Sequence, residues 1–185
     1  MGTVPLTIPT GKKNMLNSLR TYLAAQLTGE TVGFESYENA EVPKGIYFQD
    51  VGVPNLGGHA FDDYMGQRDG QMFHGKIAQT LVELNLITDV DDNTEAVSDL
   101  YNMRDRLEYL FMHSGMTDDS ENLILPRIAL TDYDQTPPVD TGATIWAPMD
   151  KDSMWIENYV GQDQARVGLK RLRILVRIKW HLLRP

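Results

Sequence analysis

The sequence contains no cysteine. Disulfide staples and thiolate metal sites are therefore excluded, and the chain suits a reducing cytosol or an assembly that must work without redox chemistry. Long apolar runs are also missing. Charge interrupts each apolar stretch within about ten residues, against roughly twenty needed to cross a bilayer. Residues 1–13 hold no apolar segment of signal-peptide length, so the protein is expected to stay where it is made unless a partner carries it. One stretch lacks acid altogether. Residues 166–185 carry seven cations and no carboxylate, giving +7. Ten cations against 26 carboxylates leave −16 on residues 1–165, for a net charge of −9. So uneven a distribution gives the molecule a strongly asymmetric field.

The hallmarks of catalysis are missing too. His59, His74, His113 and His181 are scattered, and none pairs at the i, i+4 spacing of a zinc-binding helix. The tandem acids Asp62-Asp63, Asp91-Asp92 and Asp118-Asp119 fall in expected loops. None has the ligand spacing of a calcium loop, and neighbouring positions rarely converge as one carboxylate dyad. No Gly-Lys-Ser/Thr follows Gly57-Gly58 or Gly66, so no phosphate loop is read there, and no nucleophile elbow occurs. The expectation is a protein that is not an enzyme and uses no metal or cofactor.

What is present is an ordinary globular composition: 185 residues, 42% hydrophobic and 23% charged, enough for one domain with its own core. Residues 1–13 have two prolines, two glycines and no periodicity, and read as a flexible arm before a single domain at 14–185. Met15, Leu16, Leu19, Leu23 and Leu27 recur at helical spacing, with Asn14 as the expected cap and Gly29 as the stop. Gly45–Val51 reads as a short strand. Gly52–Gly70, with five glycines, reads as a long loop that is functional, mobile or both. Gln71–Thr88 reads as one long strand whose Ala78, Thr80, Val82, Leu84 and Leu86 share a face, while Ile77, Leu81 and Ile87 mix with Gln79, Glu83 and Asn85 on the other. A second helix follows, capped by Asn93 or Thr94, striped by Val97, Leu100, Met103, Leu107, Leu110 and Phe111, and ended by Gly115. Leu123–Leu130 is expected to be a strand, with Pro126 marking an edge or a bulge. Asp132–Gly142 reads as a loop, and Ala143–Trp146 and Met154–Val160 as short strands. The order predicts an α+β fold with two helices packed on one face of a mostly antiparallel sheet.

The final strand carries the functional signal. Leu172, Ile174, Val176, Ile178 and Trp180 alternate with Arg171, Arg173, Arg177 and Lys179, so one face is core and the other basic. Cations at alternate positions, about 6.6 Å apart, repel one another and call for a compensating partner. That partner is an acidic neighbour in the same chain, the next subunit, or nucleic-acid phosphate. The next subunit is favoured, because the rest of the chain is acidic and no aromatic platform for bases accompanies the stripe. The expected inter-subunit interface is therefore Arg171, Arg173, Arg177 and Lys179, joined by Leu81 and Glu83 from the partly apolar face of the long strand. A nucleic-acid-binding module built on the basic strand is the alternative of a different class.

This pattern resembles the tail terminator proteins of long-tailed bacteriophages. The resemblance runs over residues 14–181: a leading amphipathic helix at Met15–Leu27, a short strand at Gly45–Val51, an extended strand at Phe73–Thr88, a capped helix at Thr94–Ser114 and an alternating charged strand at Val167–Trp180. The Gly52–Gly70 loop is longer, and Pro126–Asp163 fuller, than the family's minimal sheet requires. The resemblance implies a virion protein made in the host cytoplasm. It would form a self-assembled ring, usually a hexamer, that caps the tail tube and meets the head connector. DNA would pass through the lumen without specific binding, and no membrane would be involved. Head-closure and head–tail adaptor proteins of the neck share this size and are the nearer alternative.

Overall fold

The computed structural model of the chain describes residues 10–34, 44–51, 63–68, 71–148, 154–162 and 169–183. It runs α1 (Lys12–Gln26), β1 (Thr31–Phe34), β2 (Gly45–Asp50), β3 (Asp63–Arg68), β4 (Gln71–Thr88), α2 (Asn93–His113), β5 (Ile128–Asp132), β6 (Val139–Trp146), β7 (Trp155–Gln162) and β8 (Lys170–Leu183). Among the described residues the strands form one eight-stranded sheet in the order β1-β2-β4-β8-β6-β5, with β3 added to β4 and β7 added to β8. The β1–β2 pair is parallel, and the other pairings are antiparallel.

Period-two alternation turns one face of this sheet into the core. Ala78, Val82, Leu84 and Leu86 of β4 are buried with Leu172, Ile174, Val176, Ile178 and Trp180 of β8. Ile46 and Phe48 of β2, Ile128 and Leu130 of β5, and Ala143 and Ile145 of β6 extend the same surface. Both helices lie on it. Met15, Leu19, Leu23 and Leu27 of the first helical stripe are buried there, as are Leu100, Met103, Leu107, Leu110 and Phe111 of the second. The fold is the expected α+β arrangement of two helices on one face of a mostly antiparallel sheet.

Polar side chains join the layers at their rims. Asn14 is not the cap of α1; that position belongs to Gly11, which makes no side-chain cap bond. Asn14 is buried instead, and its Nδ2 donates to Asp132 Oδ1 at 3.0 Å. Ser18 Oγ accepts from the Thr131 amide at 2.8 Å. The first helix thus satisfies polar groups of β5, which among the described residues is the last strand in the order. At the other helix, the cap is Asp92 rather than Asn93 or Thr94. Its carboxylate accepts from the amides of Thr94 at 2.8 Å and Glu95 at 2.9 Å. Asp99 then accepts from Thr88 and Lys44, both at 2.6 Å, tying α2 to the sheet.

Several elements differ from expectation. Thr10 is buried, its carbonyl accepting from the Trp180 indole at 3.0 Å, and α1 begins at Lys12, so the end of the segment read as a flexible arm is packed into the fold. Residues 1–9 lie outside the described residues. The strand β1 was not anticipated. It pairs so closely with β2 that a Cβ on Gly45 would collide with the Thr31 carbonyl oxygen, a contact that only glycine permits. The segment read as one long loop contains β3, paired antiparallel with β4; residues 52–62 and 69–70 of it are outside the described residues. The span read as a strand from Leu123 is strand only from Ile128, and β6 already begins at Val139, shortening the loop read over Asp132–Gly142. In each case a distant partner strand, not local pattern, decides the boundary.

The polar joints give a stability test. Ser18→Ala leaves the Thr131 amide without its acceptor and is expected to cost about 1–3 kcal/mol. Asp92→Ala, which removes an exposed cap, is expected to cost about 0.5–2 kcal/mol. Urea unfolding of both variants beside the wild type measures this, and a Ser18→Ala variant as stable as wild type would show that the seam contributes nothing.

Candidate interaction face

The face of β4 and β8 opposite the helices collects the residues the sequence singled out. The register sets Leu81 opposite Arg177, Gln79 opposite Lys179, Glu83 opposite Leu175, Asn85 opposite Arg173 and Ile87 opposite Arg171. Arg171, Arg173, Arg177, Lys179, Leu81 and Glu83 therefore share one surface. The adjoining β7 adds Ile156 opposite Leu175 and Asn158 opposite Arg173, and β6 adds Trp146 opposite Lys179.

The basic stripe has partners inside the chain. Arg173 reaches diagonally to Glu83, its Nη2 donating to Oε2 at 2.7 Å and its Nε to Oε1 at 3.2 Å. Asn85 Nδ2 donates to Glu83 Oε1 at 3.0 Å, and Arg171 Nη1 donates to Asn85 Oδ1 at 3.4 Å. Burial by itself would raise the Glu83 carboxyl, but the hydrogen bonds from Arg173 and Asn85 outweigh it and hold the group below its usual value. His181 is lowered too, by burial, which favours the neutral imidazole, and its ring lies 5.0 Å from that of Trp146.

Exposure is graded along the face. Tyr47, Asn85 and Ile87 are buried at one end. Toward the other, Ile77 is 40% exposed and Ile156 is 55% exposed, while Leu81 and Leu175 are half-buried beside them. The result is a surface of mixed apolar and cationic character, with the Glu83 carboxylate among its central positions. Such a surface is suited to a protein partner that offers both apolar and acidic groups.

A second surface was missed in the sequence. Between α2 and β5 the chain makes a small tab over residues 114–125, held by bridges from Ser114 to Leu125 and from Thr117 to Leu123. The Asp118 carboxylate accepts from the amides of Ser120 and Asn122, both at 2.9 Å, which fixes the turn. That use accounts for one of the tandem acids; Asp92 of the pair at 91–92 is the helix cap. The tab leaves Met116 54% and Leu123 62% exposed, with Ile124 beside them. Leu123 and Ile124 read as strand residues from sequence, and their apolar character hid their exposure. At the base of the tab lies a cleft of about 440 Å³ lined by Gln26, Leu27, Asp105, Arg106, Tyr109, Leu110 and Leu125.

The other groups weighed for chemistry are dispersed. His113 sits at the end of α2, its Nδ1 2.9 Å from the Tyr109 carbonyl oxygen and its ring stacked on that tyrosine. His59, Asp62 and the Gly57-Gly58 pair lie outside the described residues, as do the side chains of His74 and Asp63. Among the described residues no three histidine, aspartate or glutamate side chains gather as metal ligands, and no helix is long and apolar enough to cross a membrane.

The Glu83–Arg173 pair predicts an acid response. Because the folded-state pKa of Glu83 lies below the usual 4.5, its contribution is present in full above that value and is lost as pH falls through the folded-state pKa. Wild type is expected to exceed Glu83→Gln by roughly 1 kcal/mol at pH 7, as suits a partly exposed pair, and the gap should close as pH falls below 4.5 through the folded-state value. Denaturant titrations across that range measure it; a gap independent of pH would mean the carboxylate does not act through its charge.

The chain matches no known protein-family model, and no curated protein is significantly similar to it.

Proposed function

We propose that the chain is a structural protein of a long-tailed bacteriophage virion, a tail terminator that assembles with copies of itself into a ring, caps the tail tube and joins it to the head connector. The observation that carries this reading is the two-sided sheet. One face of β4 and β8 is sealed by both helices, while the other bears Ile77, Ile156, Leu81 and Leu175 interleaved with Arg171, Arg173, Arg177 and Lys179. The remainder of the chain is strongly acidic, so a copy of the same protein offers surface of the opposite sign. Contact between unlike surfaces propagates from subunit to subunit and closes into a ring when the rotation permits. The resemblance in element order to tail terminators supplies the biological setting: a virion neck, built in the host cytoplasm, with DNA passing through the lumen. A head-closure or head–tail adaptor protein of the same neck would use the same surface. The nucleic-acid-binding reading draws less support, because the basic stripe is interrupted by Glu83 and by apolar side chains.

Native mass spectrometry of the purified chain, alone and with the tail-tube protein, tests the reading. Closed rings, usually hexameric, or a capped tube are expected, and raised salt should weaken the contact because exposed charges are screened. A protein that stays monomeric in both conditions would overturn it. Arg173→Gln with Arg177→Gln is expected to leave the subunit folded and to reduce ring formation about tenfold or more, a loss of about 1.4 kcal/mol. If this variant retains its rings, the stripe is not at the contact.

A further inference from the structure

We propose that the sheet carries a pH-responsive seam between β6 and β8, along which β5 and β6 part from the other strands before the molecule unfolds as a whole, and that His181 is the residue through which protons act on it. This holds whatever the outer face of the sheet binds. The pairings along the sheet are unequal. β8 runs beside β4 through fourteen paired positions, and β7 pairs seven more along its other edge. β6 meets β8 at two positions, Ile145 opposite Trp180 and Trp146 opposite Lys179. β5 is joined to the sheet through β6, so those two positions carry both strands.

Polar side chains bind each side of this line within itself. From α1, Asn14 bonds to Asp132, Ser18 accepts from the Thr131 amide, and Lys13 pairs with Asp134 at 2.6 Å, all at β5 or the turn after it. From α2, Asp99 receives Thr88 and Lys44, Arg104 reaches Glu157 of β7, and Arg106 pairs with Glu30 at 3.1 Å, ahead of β1. Across the line the apolar core is shared, with Ile128, Leu130, Ala143 and Ile145 buried in it. The Trp180 indole bond to the Thr10 carbonyl crosses it as well. A junction held mainly by packing opens at lower free energy than a long ladder of backbone hydrogen bonds.

His181 stands at this junction. On the face away from the helices its ring lies 5.0 Å from the ring of Trp146, one strand on β8 and the other on β6. The register places Ile77 of β4 opposite His181, with Lys179 two positions back on β8 as its charged neighbour and Gln79 opposite that lysine. On the β5–β6 side, Arg127 is paired with Asp140. Burial holds the imidazole below its usual 6.5. When β6 leaves, Trp146 goes with it and the ring returns to water, where it takes a proton more readily. The open form therefore binds more protons than the closed one. Above 6.5 the seam is indifferent to pH; as pH falls below 6.5 toward the closed-form value, opening is progressively favoured.

Native-state hydrogen exchange tests this, with rates corrected for the intrinsic effect of pH. Near neutral pH, the amides of β5 and β6 should be about tenfold or more less protected than those of the β4–β8 ladder. Between about pH 7.5 and about pH 5.5 their protection should fall a further threefold or so, while that of the ladder does not. His181→Phe keeps an aromatic ring beside Trp146 and should abolish the pH step. NMR titration of the His181 ring in wild type should give a midpoint below 6.5, a reading that needs no variant to fold. Because the chain has no cysteine, Trp146→Cys with Lys179→Cys sets one disulfide across the seam. Its oxidised form should bring β5 and β6 close to the protection of the ladder, and reduction should reverse this. The proposal is overturned if β5 and β6 exchange through the same opening as the ladder, or if the oxidised form opens as readily as the reduced one. It is equally overturned if the pH step is missing, if His181→Phe retains it, or if His181 titrates at 6.5 or above.

Discussion

The antiparallel ladder between β4 and β8 is the constraint on which everything else depends. Its fourteen paired positions, from Gly75–Leu183 to Thr88–Lys170, are in continuous register. A strand has only two faces, so fixing this register assigns every side chain on both strands at once. A slip by one residue would place Arg173 and Arg177 beneath the helices and Ile174 and Val176 in their place outside. Burying those guanidinium groups without partners would cost several kcal/mol each, far more than any surface contact repays. The core and the basic surface are therefore two outcomes of one pairing.

Around that spine the chain joins its layers with polar side chains of stated partners instead of with more apolar surface. Asn14 and Ser18 engage β5, Asp99 receives Thr88 and Lys44, and Lys170 donates to the carbonyls of Val90 and Asp91 at 2.7 and 2.5 Å. Arg104 extends the pattern outward, reaching Glu157 of β7 at 2.5 Å from the middle of α2. These contacts are directional and specify how each helix is oriented, which apolar packing by itself leaves loose.

How far the fold was legible follows from where its information is stored. The bounds of β4 and the alternation of β8 stand in the local pattern, because a half-buried strand writes its two faces in consecutive letters. The stripe of α2 is equally local. By contrast, β1 has four residues and little pattern of its own; it exists because β2 accepts it at Gly45. Asn14 has the chemistry of a helix cap, yet its amide is used on Asp132, 118 positions away. The six interface candidates were found together because alternation alone places them on one surface. Their link through Glu83 and Arg173 was not, since a diagonal pair depends on register between strands ninety residues apart. The tab escaped for the opposite reason: its apolar letters look like a strand, and only the bridges to Ser114 and Thr117 show that it stands clear of the sheet.

The position of β8 in the sheet has a consequence for biogenesis. It is the last strand in chain order, but it lies between β4 and β6 in the middle of the sheet. During synthesis, β4 must wait for about eighty further residues before β8 emerges, and until then the edge that β8 will pair has its backbone hydrogen-bonding groups without that partner. The basic stripe arrives on that same strand. The nascent chain thus acquires its cationic surface in the same step that closes its core.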